Sequence, residues 1–283
     1  MWQIALSTFK EVYRKRVVHV IGLLTLLYWG ILGFVLYMQP REFDQGASLI
    51  SALVNLSSLI SILGFYLSSM LLAFLTIMLS VGIISSEVED GTVLTILTKP
   101  IPRASYVLGK YVGISLMILA YAAVLYIGII LFALLGKQNF FQLFGLVTLF
   151  KGFLLFALQP LAIAALAVYG STVFKTVNNG IFVISFYLLG IIGGIMEQVG
   201  SLANIADLST FGIIAGLFAP FEVIYRKMIS TIFSSVGGYN LIMGMTMPGK
   251  SVEPSVWMMA YVAIYMMGLI FWGIRRMNRR DIG

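Results

Sequence analysis

The chain contains no cysteine. Disulfides, thiolate metal centres and cysteine nucleophiles are excluded, and nothing follows about the redox compartment. Its one histidine, His19, sits beside Arg16 with no carboxylate near it in sequence. Without such a partner an acid–base role is not expected, and a polar anchor at the start of an apolar run is. Charge is scarce as well. Asp, Glu, Lys and Arg make up 10% of the 283 residues, against roughly 25% in an ordinary soluble domain. With 60% of residues hydrophobic, a soluble fold of this length could not cover its apolar surface, so the class is integral membrane protein. The pattern Gly-x-x-x-x-Gly-Lys-Ser/Thr is also missing, and Gly109-Lys110 lacks both its upstream glycine and its following hydroxyl. No loop of the P-loop type can be read, and this chain is not expected to be an enzyme.

What is present is a set of long apolar runs. A helix needs about 20 residues to cross the hydrocarbon core, and six stretches qualify, at roughly 17–38, 58–84, 106–135, 152–173, 178–198 and 255–274. They are continuous, without the alternation of barrel strands. The expected fold is therefore an all-α integral membrane protein with six transmembrane helices in one domain, 1–283, without internal repeats. The basic start leads straight into the first run with no small-residue cleavage site, which predicts a retained span. Lys10, Arg14, Lys15, Arg16, Lys99, Arg103, Lys110, Lys175, Arg275, Arg276, Arg279 and Arg280 fall on one side of these spans. Only Arg41, Lys137, Lys151, Arg226, Lys227 and Lys250 fall on the other. By the positive-inside rule both termini are expected in the cytoplasm of a multi-pass protein of the cell membrane. The +7 net charge then reports topology and gives no reason to expect nucleic acid.

Trp2, Leu6, Phe9 and Tyr13 recur at three-to-four spacing, which predicts an N-terminal amphipathic helix lying in the interface. Residues 199–254 are too long for a turn and too apolar for a solvated loop. They predict one or two short helices embedded in the outer leaflet, re-entrant if shielded by protein, with a break at Pro220. Ser57, Ser61, Gly64 and Ser68 form a small-residue seam on the second span, and Gly190 and Gly194 repeat the spacing on the fifth. Such seams are helix-packing faces first and pathway linings second. Midplane charges are scarce, with Lys151 and Glu197 expected at outer span ends. Met243, Met245 and Met247 alternate in the outer segment. Apolar packing is the ordinary role of methionine, although thioethers so spaced would also suit Cu(I). No metal is otherwise expected in the chain.

The stretch 85–110 is the most polar between two spans. From Glu89 to Thr98 the spacing predicts a short helix, with Val93, Leu94, Ile96 and Leu97 apolar and Glu89, Asp90 and Thr92 polar. Acids at its front suit the helix dipole, and Pro100 and Pro102 end it. A stiff surface helix joined to two spans can transmit a push. The order of Glu87, Gly91-Thr92, Pro100, Arg103 and Gly109-Lys110 resembles the first cytoplasmic loop of ABC-2 type transporter permeases.

That resemblance implies a coupling helix docked on a separate cytoplasmic ATPase. Glu87, Glu89, Asp90, Gly91, Thr92, Leu94, Leu97, Pro100, Arg103, Gly109 and Lys110 would form the coupling element, while ATP and Mg would belong to the partner chain. It further implies a second permease copy, with a homodimer expected, and an exporter. The alternatives are an ATPase-driven mechanical or assembly subunit acting on an extracytoplasmic protein, as in copper-enzyme maturation, and an ATP-independent carrier or channel.

Overall fold

In lipid, each backbone N–H and C=O must be satisfied within its own segment, so apolar runs of this length fold as helices. The computed structural model describes residues 2–37, 47–93, 102–135, 145–233 and 254–279. Its elements are α1 (Trp2–Tyr13), α2 (Arg16–Tyr37), α3 (Ala47–Ser80), α4 (Ser85–Glu89), α5 (Arg103–Leu135), α6 (Leu146–Val173), α7 (Thr176–Ala203), α8 (Ala206–Phe218), α9 (Phe221–Phe233) and α10 (Val256–Arg279). No strand occurs among the described residues.

Among the described residues, six helices are long and apolar enough to cross a membrane: Arg16–Val35, Ile62–Glu89, Arg103–Phe132, Leu146–Val173, Thr176–Ser201 and Val256–Arg279. The fold is thus all-α and membrane-spanning, as the sequence predicts. The second run departs most from expectation. Its helix α3 starts at Ala47, ends at Ser80, and passes through a turn at 81–84 into the short helix α4.

Helix α6 is the middle of the bundle, touching α3, α5, α7, α9 and α10. Its run Ala162-Ile163-Ala164-Ala165-Leu166-Ala167-Val168 is buried, and the small side chains let neighbouring backbones approach closely. Aromatic rings fill the wider gap between α3, α5, α6 and α9, with Phe65 against Tyr126 at 5.6 Å and against Phe233 at 6.4 Å. The rows Leu23, Leu27, Phe34 on α2 and Ile181, Leu188, Ile195 on α7 are exposed, as lipid-facing sides are.

Helix α1 packs on α5 through the face that the hydrophobic pattern does not pick out. Ala5, Thr8 and Val12 are buried, while Trp2, Leu6 and Tyr13 point away. Gly113 of α5 makes the contact: a Cβ there would lie 2.6 Å from the Ala5 carbonyl oxygen. Of the expected stripe, Trp2, Leu6 and Tyr13 are left outward while Phe9 packs against the core.

After α7 the chain turns back. Asn204 adopts the left-handed conformation, φ 53°, and α8 then runs antiparallel to the second half of α7. A Cβ on Gly193 would be 2.5 Å from Ala215 Cβ, and one on Gly190 2.8 Å from the Ala219 carbonyl oxygen. At Ala219-Pro220 the chain bends by 100° into α9. Ile232, near the end of α9, reaches Gly152, near the start of α6. Helix pair α8–α9 therefore dips into the bundle and returns to the end it left.

Carbonyls freed at the bend find side-chain donors, as membrane burial demands. Tyr261 donates to the Leu217 oxygen at 2.6 Å and Tyr265 to that of Phe218 at 3.0 Å. The sequence predicts short helices embedded in the outer leaflet, re-entrant if shielded by protein, with the break at Pro220. In the structure Phe221 to Tyr225 are all buried against the bundle, Glu222 included.

Candidate functional site

Twelve of the 18 basic residues were expected on one side of the membrane. Those that are described gather at one end of the bundle, here called the basic end. There α3 does not run straight into its loop. Its last turn loosens at 81–84, and the polar backbone this exposes is held by side chains from the α6–α7 junction. Asn179 donates through Nδ2 to the Val81 oxygen at 2.6 Å and to that of Ala167 at 2.9 Å. Ser171 Oγ accepts from the backbone N–H groups of Ile84 at 2.9 Å and Ser85 at 2.8 Å. Ser85 and Thr176 share a hydroxyl hydrogen bond of 2.9 Å. Glu89, at the other end of α4, accepts from the Thr176 N–H at 2.8 Å and so caps α7, where a negative charge suits the helix dipole.

A second set of contacts ties α4 to the opposite neighbours. Glu87 takes an ion pair from Lys110 and a hydrogen bond from Tyr106, both on α5. Lys110 also reaches Glu11 of α1 at 3.3 Å, and Glu11 meets Lys15 at 3.7 Å. The Lys110 side chain is 4% exposed and that of Glu87 17%, so this is a buried pair whose charges depend on each other. Arg103, at the start of α5, donates to the carbonyl oxygens of Met277 and Asn278 at 3.1 and 3.2 Å. A guanidinium is well matched to the unsatisfied, partly negative end of α10.

Beyond Glu89 the chain turns outward. Asp90 closes α4 and Gly91 takes φ 71°, a conformation L side chains resist. Thr92 Oγ1 donates back to the Glu87 oxygen at 3.1 Å. Glu89, Asp90, Gly91 and Thr92 are exposed, while Val93 is buried.

The helix predicted from Glu89 onward is therefore interrupted. Its two acids end a five-residue helix instead of opening a longer one, because Gly91 reverses the backbone between them and Thr92. Leu94, Leu97 and Pro100 lie outside the described residues, as do Met243, Met245 and Met247.

The predicted site residues thus divide by position. Glu89, Asp90, Gly91 and Thr92 form an exposed tip. Glu87, Arg103, Gly109 and Lys110 lie behind it, in contact with the bundle. On the seam, Gly64 and Ser68 face α2, where Tyr28 donates to the Gly64 oxygen at 2.7 Å and receives Ser68 at 3.0 Å. Gly190 and Gly194 face the α8–α9 pair. All four touch neighbouring helices. Ser57 and Ser61 lie on α3 in a stretch whose side chains are not described. Sequence reasoning does not find Ser171, Thr176, Asn179, Glu11 or Tyr106. Each meets the segment across a long sequence separation, and no local pattern marks it.

Six helices fit to cross a membrane, with a charged segment anchored to them on two sides at the basic end, define a multi-pass membrane protein. The sequence matches the family described as ABC-2 family transporter protein over residues 2–282, and the chain belongs to that family. No curated protein matches it. The chain is accordingly a membrane component of an ABC transporter, the permease and not the catalytic part.

Proposed function

We propose that this permease works as an ATP-driven exporter, in which the exposed tip 89–92 and the chain that follows it dock on a separate cytoplasmic ATPase. The carrying observation is that this tip is braced on both sides. Glu87–Lys110–Glu11 connects it to α5 and α1, and Ser171, Thr176 and Asn179 connect it to α6 and α7. A push on the tip would move two parts of the bundle together, where a loose loop would absorb it. ATP and Mg would bind the partner, and hydrolysis there would rock two permease copies, a homodimer, between inward- and outward-open forms. The basic end, with both termini, would face the cytoplasm of a cell membrane.

The test uses the absence of cysteine. Asp90→Cys, Thr92→Cys and Asp207→Cys are made singly, and each protein is purified in mild detergent from its native membrane after thiol crosslinking. The expected result is a crosslink from positions 90 and 92 to a stoichiometric protein carrying a Gly-x-x-x-x-Gly-Lys-Ser/Thr loop, and none from 207. If no ATPase is captured from 90 or 92, the docking assignment fails and an autonomous carrier becomes the better account.

A further inference from the structure

Glu222 stands apart from the basic-end machinery. It is on the first turn of α9, inside the membrane-embedded re-entrant pair, and only 8% exposed. Its carboxylate has no hydrogen bond or ion pair among the described residues. Arg226, one turn along the same helix, is within electrostatic reach, but its guanidinium is already paired with Glu197 of α7 at 2.5 Å. The stem of Glu222 crosses α7 at Gly194, where a Cβ would come 2.5 Å from its Cγ. Tyr66 on α3, Tyr187 on α7 and Tyr225 on α9 are within electrostatic reach of it, with the Tyr66 and Tyr225 rings 5.3 Å apart and Tyr187 6.3 Å from the ring of neighbouring Phe221. Tyr225 is committed, donating to the Ile62 oxygen at 3.2 Å. Tyr66 and Tyr187 are half-buried and their hydroxyls make no hydrogen bond among the described residues.

An ionised carboxylate in apolar surroundings without a partner is costly, and intramembrane ionisable groups mark functional sites. The N-terminal end of α9 favours the anion. Tyrosine faces attract cations. Leu63 and Leu67 on α3 and Leu188 and Ile192 on α7, close in sequence to Tyr66 and Tyr187, are exposed and apolar. We propose that Glu222, with Tyr66 and Tyr187 near it, is the anionic contact of an intramembrane binding site for an organic cation with an apolar body. As recognition of cargo this rests on the permease reading above; as binding it stands by itself.

The experiment is equilibrium binding of tritiated tetraphenylphosphonium to the full chain in lipid nanodiscs, without any ATPase, with empty nanodiscs subtracted. Wild type is expected to bind saturably, and excess uncharged triphenylphosphine oxide to leave that binding in place. Glu222→Gln, which keeps the shape and removes the charge, should weaken binding roughly tenfold or more. Tyr66→Leu should weaken it several-fold with the carboxylate intact.

No saturable binding to wild type overturns the proposal, and so does equal binding by a folded Glu222→Gln protein. If Glu222→Gln does not fold, Tyr66→Leu and the neutral competitor decide: unchanged binding in Tyr66→Leu together with full competition sinks it. Because no ATPase is present, binding here with no crosslink at position 90 would keep this site while removing the exporter reading.

Discussion

A lysine with 4% of its side chain exposed is stable as a cation only if its partners stay with it. Lys110 has Glu87 and, more loosely, Glu11. Removing either member of the buried Glu87–Lys110 pair leaves a charge in a place built for two, at a typical cost of about 3–5 kcal/mol. Lys110→Met is therefore expected to lower the thermal unfolding midpoint of the detergent-purified protein sharply, and Glu87→Lys to do the same. In sequence Glu87 is one acid of a charged loop, and nothing near it shows that it points inward. The pair Glu87→Leu with Lys110→Met should recover most of the loss, since no lone charge then remains. A double-mutant cycle in which the two losses simply add would show that the side chains do not depend on each other.

At the scale of elements, hydropathy and punctuation made the spans legible. Apolar runs and the proline at 220 are local signals that fell where the helices change; the glycine at 91 is one too, but the helix expected over 89–98 ran through it. What joins the elements was not local. Ser171 accepts from Ile84 and Ser85 across the α3–α6 boundary, a pairing set by tertiary approach and by the need to satisfy buried N–H groups. Ser171→Ala leaves both without that acceptor, an expected loss of about 1–3 kcal/mol. It should appear as faster amide exchange at Ile84 and Ser85; unchanged exchange there would mean the hydroxyl does not hold the junction. Gly91 acts differently. A Cβ at this site meets nothing within 4 Å, so Gly91→Ala costs only the left-handed backbone, about 1–2 kcal/mol. Gly91→Asn, more tolerant of that conformation, should keep ATPase crosslinking at Thr92→Cys where Gly91→Ala reduces it.

For the molecule as a whole, the α8–α9 pair decides which way the last span points. Had the two short helices formed one broken span, the chain would cross once more and α10 would run in the opposite sense. Their combined composition alone permits that reading. The contacts oppose it: Gly190 against Ala219 puts the bend beside the middle of α7, Gly152 against Ile232 returns the chain to its starting level, and Arg103 holds the end of α10 at the basic end. Positive charge agrees, since Arg275, Arg276 and Arg279 would otherwise face away from the other basic residues. Single cysteines at Asp90, Asp207 and Asn278, all exposed, convert this into an outcome. An impermeant thiol reagent added to intact cells should label Asp207→Cys alone, and the other two should react only after permeabilisation. Labelling of Asn278→Cys together with Asp207→Cys would mean that the pair crosses the membrane, and Glu222 would then belong to a seventh span instead of a re-entrant one.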